Sequence, residues 1–447
     1  MPLTFFGGIV PENKKYSRSS PLRTITPPEM VYLPIDEATP VVTAEETVGM
    51  GQVVADNSEM PICSSVSGIV KGIAREDNIK YLAIENDKYN TPFQGLKGVE
   101  KPLGQLTLYE ICNLLKQFAI TDSFDGEPLY KKLECKTDEL KRIIINCCEH
   151  DSYTTALFRL LHEHPKEFIG GAKILMHALS IKKCIIVIED KKKNAFKRLE
   201  NHVNDPEMFV TAYLKKKYPV NEKTILSAIY GKEIPHKKTT CDLGYIFFGA
   251  ESVIQTYNSF VTGMPQISKA VTVSGESIAN PSNLIVPLGT PIKNLITECG
   301  GLVHRCSCVV NGGIMDGESM ENPGGVVTAL TSQLILLRWI EHYNGNCVRC
   351  GRCITVCPMH LSPLDYAVNS EQNKELYDKN VYYGINACIE CGCCVYICPT
   401  GVPLLDIIRT AKEKRGLLRN ENYEDNKVKK TNYQEKDDND DSFYIPF

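Results

Sequence analysis

Short apolar runs broken by Pro, Gly, Asn and Asp fill the first 95 residues. Met30–Pro34, Gly51–Ala55 and Gly68–Ile73 are each of strand length, so this segment is expected to be β structure. From about residue 105 the period changes. Leu108, Ile111, Cys112, Leu115 and Phe118 repeat at helical spacing. The runs RIIIN (Arg142–Asn146) and CIIVI (Cys184–Ile188) are continuously apolar and of strand length. Between them, Thr155–Ser180 reads as helix interrupted at Pro165, and a second helix is expected at about Asn194–Val203. Strands alternating with helices predict an α/β layer with parallel pairing, ending near residue 260.

The pattern changes again after residue 265. Ala270–Ser274 and Leu284–Pro287 read as strands, and Thr290 as an N-cap with Pro291 opening a helix to about Glu298. A helix of roughly 15 residues is expected over Val327–His342. After about Lys414 the chain turns polar and acidic and reads as a disordered tail, a reading favoured over a docking motif formed by Phe443, Tyr444 and Phe447. The fold class is therefore α+β and multidomain, divided at 1–95, 100–262, 265–325, 326–415 and a tail at 416–447.

With 447 residues, the chain has room for about three domains on the usual size range. Hydrophobic residues make up 43% and charged residues 23%, an ordinary globular balance. The formal net charge of −4 carries no basic footprint for nucleic acid. No apolar run is long enough to span a bilayer, and the opening MPLTFFGGIVPENKK lacks the order of a signal peptide. A cytoplasmic protein is expected.

Cysteine alters that ordinary picture. Of 19 cysteines, nine lie between Cys347 and Cys398. For a chain read as cytoplasmic, this density points to metal ligation before disulfides. Two runs share one pattern: Cys347-x2-Cys350-x2-Cys353-x3-Cys357-Pro358 and Cys388-x2-Cys391-x2-Cys394-x3-Cys398-Pro399. This is the spacing of bacterial two-cluster ferredoxins, in which the fourth cysteine of each run ligates the other cluster. Cys347, Cys350, Cys353 and Cys398 are thus expected to hold one [4Fe–4S] cluster, and Cys388, Cys391, Cys394 and Cys357 the other. Gly351 and Gly392 lie where backbone must pass close to sulfide. Cys393 is spare. Zinc is the competing metal, but it prefers separated C-x2-C pairs to four cysteines in eleven residues, repeated. The paired adjacent Cys147 and Cys148, and Cys306-x-Cys308, read as buried thiols.

The loops also differ in charge. The first carries Arg349 and Arg352, the second Glu390 and no basic residue in the same run. Nearby cations favour the reduced cubane, so the first cluster is expected to have the higher potential.

These motifs, in this order, resemble the RnfC subunits of Rnf electron-transport complexes from about residue 4 to 415. The resemblance is carried by Phe6-Gly7-Gly8-Ile9 and Lys14, by Ile188-Glu189-Asp190-Lys191-Lys192 and Ala195, and by Tyr218-Pro219 and Glu222-Lys223. It continues through Gly231–Pro235, Val273-Ser274-Gly275, Leu288–Pro291, Cys299-Gly300-Gly301 and Gly312–Met315 to the cysteine runs. It implies a barrel-sandwich hybrid for residues 1–95, of the biotinyl/lipoyl kind though without a lysine at the carrier position. It implies an α/β domain like the flavin-binding part of respiratory complex I, a soluble-ligand-binding β-grasp unit, and a ferredoxin-like domain.

The resemblance also implies FMN and NADH, with Asn146 and Glu149 among the flavin-site residues. One departure bears on that. The family's glycine-rich GGAGFPT loop, which lets backbone amides reach a phosphate, reads ITDSFDGEPL here (Ile120–Leu129), with Asp122, Asp125 and Glu127 added. Phe248 stands where the family has an asparagine, and Val220-Asn221 where it has two glycines. The expected function is electron transfer through two [4Fe–4S] clusters, to the membrane Rnf complex or to a soluble reductase such as proline reductase, with ferredoxin-type partners. The alternatives are an FMN-containing NADH dehydrogenase component and a protein with inert metal. An electron carrier, peripheral on the inner membrane face through its partners, is favoured over a complete enzyme.

Overall fold

In the computed structural model, residues 2–413 are described, apart from 37, 77–78, 135–138, 150, 193–207, 232, 235–237, 321–323, 340–344 and 372–383. The helix expected at 194–203 and the tail from 416 lie outside the described residues.

The first β unit is two small sheets packed face to face. Met30–Pro34, Ile79–Asn86, Gly68–Glu76 and Thr47–Val48 form one; Thr39–Pro40, Val53–Asp56 and Ile62–Cys63 form the other. Val31, Leu33, Val48, Val54, Val66, Leu82 and Ile84 fill the space between them. The alternation of buried and half-buried positions in Met30–Pro34 is the expected period of two.

The α/β unit is a four-stranded parallel sheet in the order Phe209–Leu214, Cys184–Glu189, Arg142–Asn146, Tyr245–Gly249. Both faces are covered, which is why its strands are apolar without interruption. Ile143 and Ile145 enter the larger core, with the helices Leu108–Gln117, Pro165–Leu179 and Ala250–Thr262, while Ile144 points to the opposite face and the helix Glu222–Tyr230. Thr107 and Glu110 cap the start of the first of these helices reciprocally. Helix Ala156–Glu163 ends before Pro165, which opens the next helix at its first position.

The third unit is a six-stranded sheet ordered Leu22–Thr24, Ser282–Pro287, Ser268–Ser274, Gln333–Leu337, Cys308–Asn311, Glu318–Met320. Here the sequence reading is corrected. The segment expected to be a helix at Val327–His342 contains the strand Gln333–Leu337, parallel to Ser268–Ser274 and antiparallel to Cys308–Asn311. A strand buried between two neighbours is apolar at consecutive positions, and such a run carries no period that separates it from helix. The helix after Pro287 starts one residue late: Pro291 is its N-cap, it runs Ile292–Glu298, and the Thr290 hydroxyl donates instead to the Pro287 carbonyl at 2.7 Å.

The opening residues strap these units together. Leu3 pairs with Leu214 and Ile9 with Tyr218 at the edge of the parallel sheet. The Gly8 amide donates to the carbonyl of Val356, beside Cys357, at 2.7 Å. Gly7, at φ +63°, passes so close that a Cβ there would lie 2.6 Å from the Cys357 carbonyl oxygen. That contact and that conformation both require glycine.

Candidate iron–sulfur centres and the adjoining cavity

The two cysteine loops share one backbone design. Arg349 and Glu390 occupy equivalent positions, each two residues after the first cysteine, and both have positive φ (56° and 53°). Gly351 and Gly392 follow the second cysteine at φ 74° and 73°, and each caps a one-turn helix, Arg352–Thr355 and Cys393–Tyr396. Cys347, Cys350, Cys353 and Cys398 surround one void, with Pro399 on its wall. Cys357, Cys388, Cys391 and Cys394 surround a second, with Pro358 on its wall. The fourth cysteine of each run therefore reaches across to the other loop, as the spacing predicts. Among the described residues, no three His, Cys, Asp or Glu side chains close on a single ion's position; the cysteines stand round voids.

Backbone amides point at the sulfurs. Those of Leu361, Glu390 and Val402 donate to Cys357, Cys388 and Cys398, each at 3.4 Å. Such bonds stabilise thiolate and tune cluster potential. Contact with Cys393 and the amides of the turn hold the Cys391 thiol below its ordinary value, which favours the thiolate that binds iron. Cys393 itself is fully buried and points at the Tyr218 carbonyl, 3.8 Å away. Cys350 is exposed, whereas Cys353, Cys357 and Cys394 are buried.

The charge contrast read from the loops is incomplete. Glu390 pairs with Arg409 at 2.9 Å and Lys412 at 2.6 Å, and Lys412 also donates to the Cys388 carbonyl at 2.7 Å. Both cations come from 15 or more residues downstream of that loop, out of reach of a motif-sized reading.

Beside the second quartet lies a cavity of about 650 Å³. Its wall takes Asn146, Cys148 and Glu149 from the end of a parallel strand, Tyr218–Glu222, Gly249–Glu251, the turn Gly312-Gly313, and Ile389–Cys391 of the cluster loop. The two residues singled out for a flavin site are thus both on this wall, with Asn146 Oδ1 and the Glu149 carboxylate engaged within the protein. Asn146 Oδ1 accepts from the Cys148 amide at 3.0 Å. Glu149 pairs with Lys192 at 2.6 Å and Lys15 at 3.5 Å and accepts from the Phe158 amide at 2.8 Å. Burial pushes its carboxyl up, and Lys192 and Lys15 overcome that, leaving it below the usual range. Cys147 and Cys148 are buried, with thiols pushed up by burial, as inert thiols are. Phe248 is fully buried, with Lys132 over its ring at 5.3 Å.

The altered loop carries its charge differently from the sequence reading. Asp122 is buried, not presented to the cavity. Its Oδ1 accepts from Gly249 N (2.7 Å), Ser252 Oγ (2.8 Å) and Phe124 N (3.1 Å), and its Oδ2 pairs with Lys132 at 2.5 Å. Asp125 shares the same ammonium at 2.5 Å. Four further loop amides are engaged within the protein: Ser123 to Ser252 Oγ, Gly126 to the Asp122 carbonyl, Glu127 to Asp125 Oδ1, and Asp122 to the Glu127 carbonyl. The loop as folded offers no amide cradle, so the phosphate of FMN does not fit here.

Family models match four segments: an RnfC barrel-sandwich hybrid domain over 3–88, a Nuo51 FMN-binding domain over 125–258, an SLBB domain over 270–321, and a 4Fe-4S dicluster domain over 346–402. The chain is similar to the C subunit of the Na(+)-translocating ferredoxin:NAD(+) oxidoreductase complex of Acetobacterium woodii, at 30% identity over 405 residues, covering 84% of this chain and 89% of that one. It is 28% identical over 396 residues to the C subunit of the proton-translocating ferredoxin:NAD(+) oxidoreductase complex of Clostridium ljungdahlii, covering 84% and 86%. The C subunit of an ion-translocating oxidoreductase complex of Edwardsiella ictaluri matches at 30% over 380 residues, 80% of this chain and 47% of that longer one. Among the described residues, no helix is long and apolar enough to cross a membrane.

Proposed function

The chain belongs to the RnfC family, and from that premise we propose that it conducts electrons through two [4Fe–4S] clusters between a reduced donor and a partner oxidoreductase. In this reading Cys347, Cys350, Cys353 and Cys398 hold the first cluster, and Cys357, Cys388, Cys391 and Cys394 the second. The observation that carries it is the exchange of fourth cysteines between the two loops. That exchange ties the clusters side by side, which suits electron flow and adds nothing a structural metal would need.

The relatives' names support one kind of partner. It is an ion-translocating complex of the Rnf kind, or a soluble reductase, and the protein sits peripherally against it. The cavity touches the second quartet at Cys391, while Cys350 of the first is exposed, so the clusters form a path from the interior to the surface. The domains divide at 1–95, 100–262, 265–325 and 326–415, with strands Leu22–Thr24 and Gln333–Leu337 crossing into the third unit's sheet. The chain acts as a carrier and not as a complete NADH oxidase.

Anaerobically purified protein is expected to hold about eight Fe and eight sulfide per chain, with negligible zinc. Cys353→Ala is expected to lose one cluster and Cys394→Ala the other, by iron content and EPR, while Cys393→Ala keeps both. Loss of a cluster from the Cys393 variant would sink the ligand assignment.

A further inference from the structure

We infer that Asp122 is a resident anion: its carboxylate fills the position where a glycine-rich loop would hold a nucleotide phosphate, so the cavity beside the second cluster excludes FMN and nicotinamide dinucleotides and is open only to ligands without a phosphate. This goes beyond the electron-transfer reading and stands independently of it.

The donors around Asp122 are those an anion site requires. They are the amide of Gly249 at the start of the helix Ala250–Thr262, the Phe124 amide within the loop, the Ser252 hydroxyl, and the Lys132 ammonium. Helix-start amides, a loop amide, a hydroxyl and a lysine converging on one point are what phosphates normally receive. Here a side chain of the same protein receives them, and it is fully buried.

There is also no room for a second anion. A Cβ built on Gly249 would meet Ser123 Oγ at 2.1 Å, the Phe124 amide at 2.7 Å and Asp122 Oδ1 at 2.9 Å, so loop and helix start are in direct contact. Lys132 is spent on Asp122 and Asp125. Glu149 takes up Lys15 and Lys192, and Glu251 takes up Lys269 at 2.6 Å. Asp125, Glu222, Asp316 and Glu318 add further carboxylates to the cavity wall. Burial pushes the carboxyls of Asp125 and Glu222 up, and Lys132, shared with Asp122, offsets that only in part. A phosphate entering it would meet like charge at low dielectric.

The test compares FMN with riboflavin, which differ only by the phosphate, on the full-length, cluster-loaded protein. Binding is read from flavin fluorescence and from flavin retained through gel filtration. Asp122→Gly opens the position. Asp122→Asn keeps an acceptor oxygen for Gly249 and Phe124 and removes only the charge, so it preserves the loop if the glycine variant fails to fold. Iron content and the EPR signals of the clusters report folding and leave the electron-transfer reading separately testable. Wild type is expected to retain no FMN. The variants are expected to bind FMN more tightly, about tenfold or more for Asp122→Gly and several-fold for Asp122→Asn, with riboflavin affinity changed less than twofold. Stoichiometric FMN on the wild type would overturn the proposal. So would folded variants that bind FMN no better, or an equal gain for both flavins, which would reflect space and not charge.

Discussion

Glu149 is a buried carboxylate kept ionised by two buried lysines, and the three groups stand or fall together. Removing its charge strands Lys15 and Lys192 in a place where an unpaired cation is costly. Glu149→Gln is expected to lose about 3–5 kcal/mol in chemical denaturation at pH 7. A loss under about 1 kcal/mol would show that the lysines find other partners. The sign with pH follows from its lowered folded pKa. The stabilisation is complete above the ordinary glutamate range and fades as pH falls through the folded value. The gap between wild type and variant should therefore close below about pH 4.5. Asn146 and Glu149 are legible as cavity residues because resemblance places them at the end of a parallel strand. The state of Asp122 is not. Its neutralising partner Lys132 lies on the helix Leu129–Glu134, and its amide donor Gly249 is 127 positions away. Nothing local in the sequence separates a buried, paired aspartate from an exposed one.

Elements are legible where burial leaves a period, and obscure where it erases one. The alternation in Met30–Pro34 and the helical spacing from Leu108 to Phe118 survive because each element keeps one solvent-facing side. Gln333–Leu337 reads as helix because it is covered on both sides and shows only apolarity. The helix spanning 404–413 matters in another way: it carries Arg409 and Lys412 back onto the second cluster loop. Glu390 is therefore not a lone negative charge, and the second cluster lies in a more positive setting than its own loop suggests. Lys412→Gln is expected to lower the potential of the second cluster. A unit charge at roughly 7 Å with an effective dielectric near 20 is worth about 2 kcal/mol, on the order of 100 mV. Solvent reduces that several-fold. An EPR-monitored titration that finds no lowering would assign the potential to the amide hydrogen bonds instead.

At the scale of the molecule, the first fourteen residues run along the parallel sheet, past Val356-Cys357 at the end of the first cysteine run, and on to Glu276, just after the strand Ser268–Ser274, through Lys14 at 3.0 Å. They join three units that otherwise meet around a cavity. Gly7→Ala places a methyl group against the Cys357 carbonyl in a backbone region unfavourable to alanine. The second cluster should then be released faster to an iron chelator, by several-fold, while the first is released at the wild-type rate. Equal release of both would place the strap's effect elsewhere.

The same strap sets an order of events during synthesis. Its partner at Cys357 leaves the ribosome some 350 residues after Gly7 does, so the contact of Gly7 and Gly8 with Val356-Cys357 forms long after the pairings with Leu214 and Tyr218 become possible. At about 5–20 residues per second, that is tens of seconds in which the earlier units fold without the contact to the cysteine run. Seating comes last, once the cysteine loops have taken shape. The segment around Gly7 thus acts as the closing clasp of the finished protein, and a chain that never acquires iron presents a different surface for it to close upon.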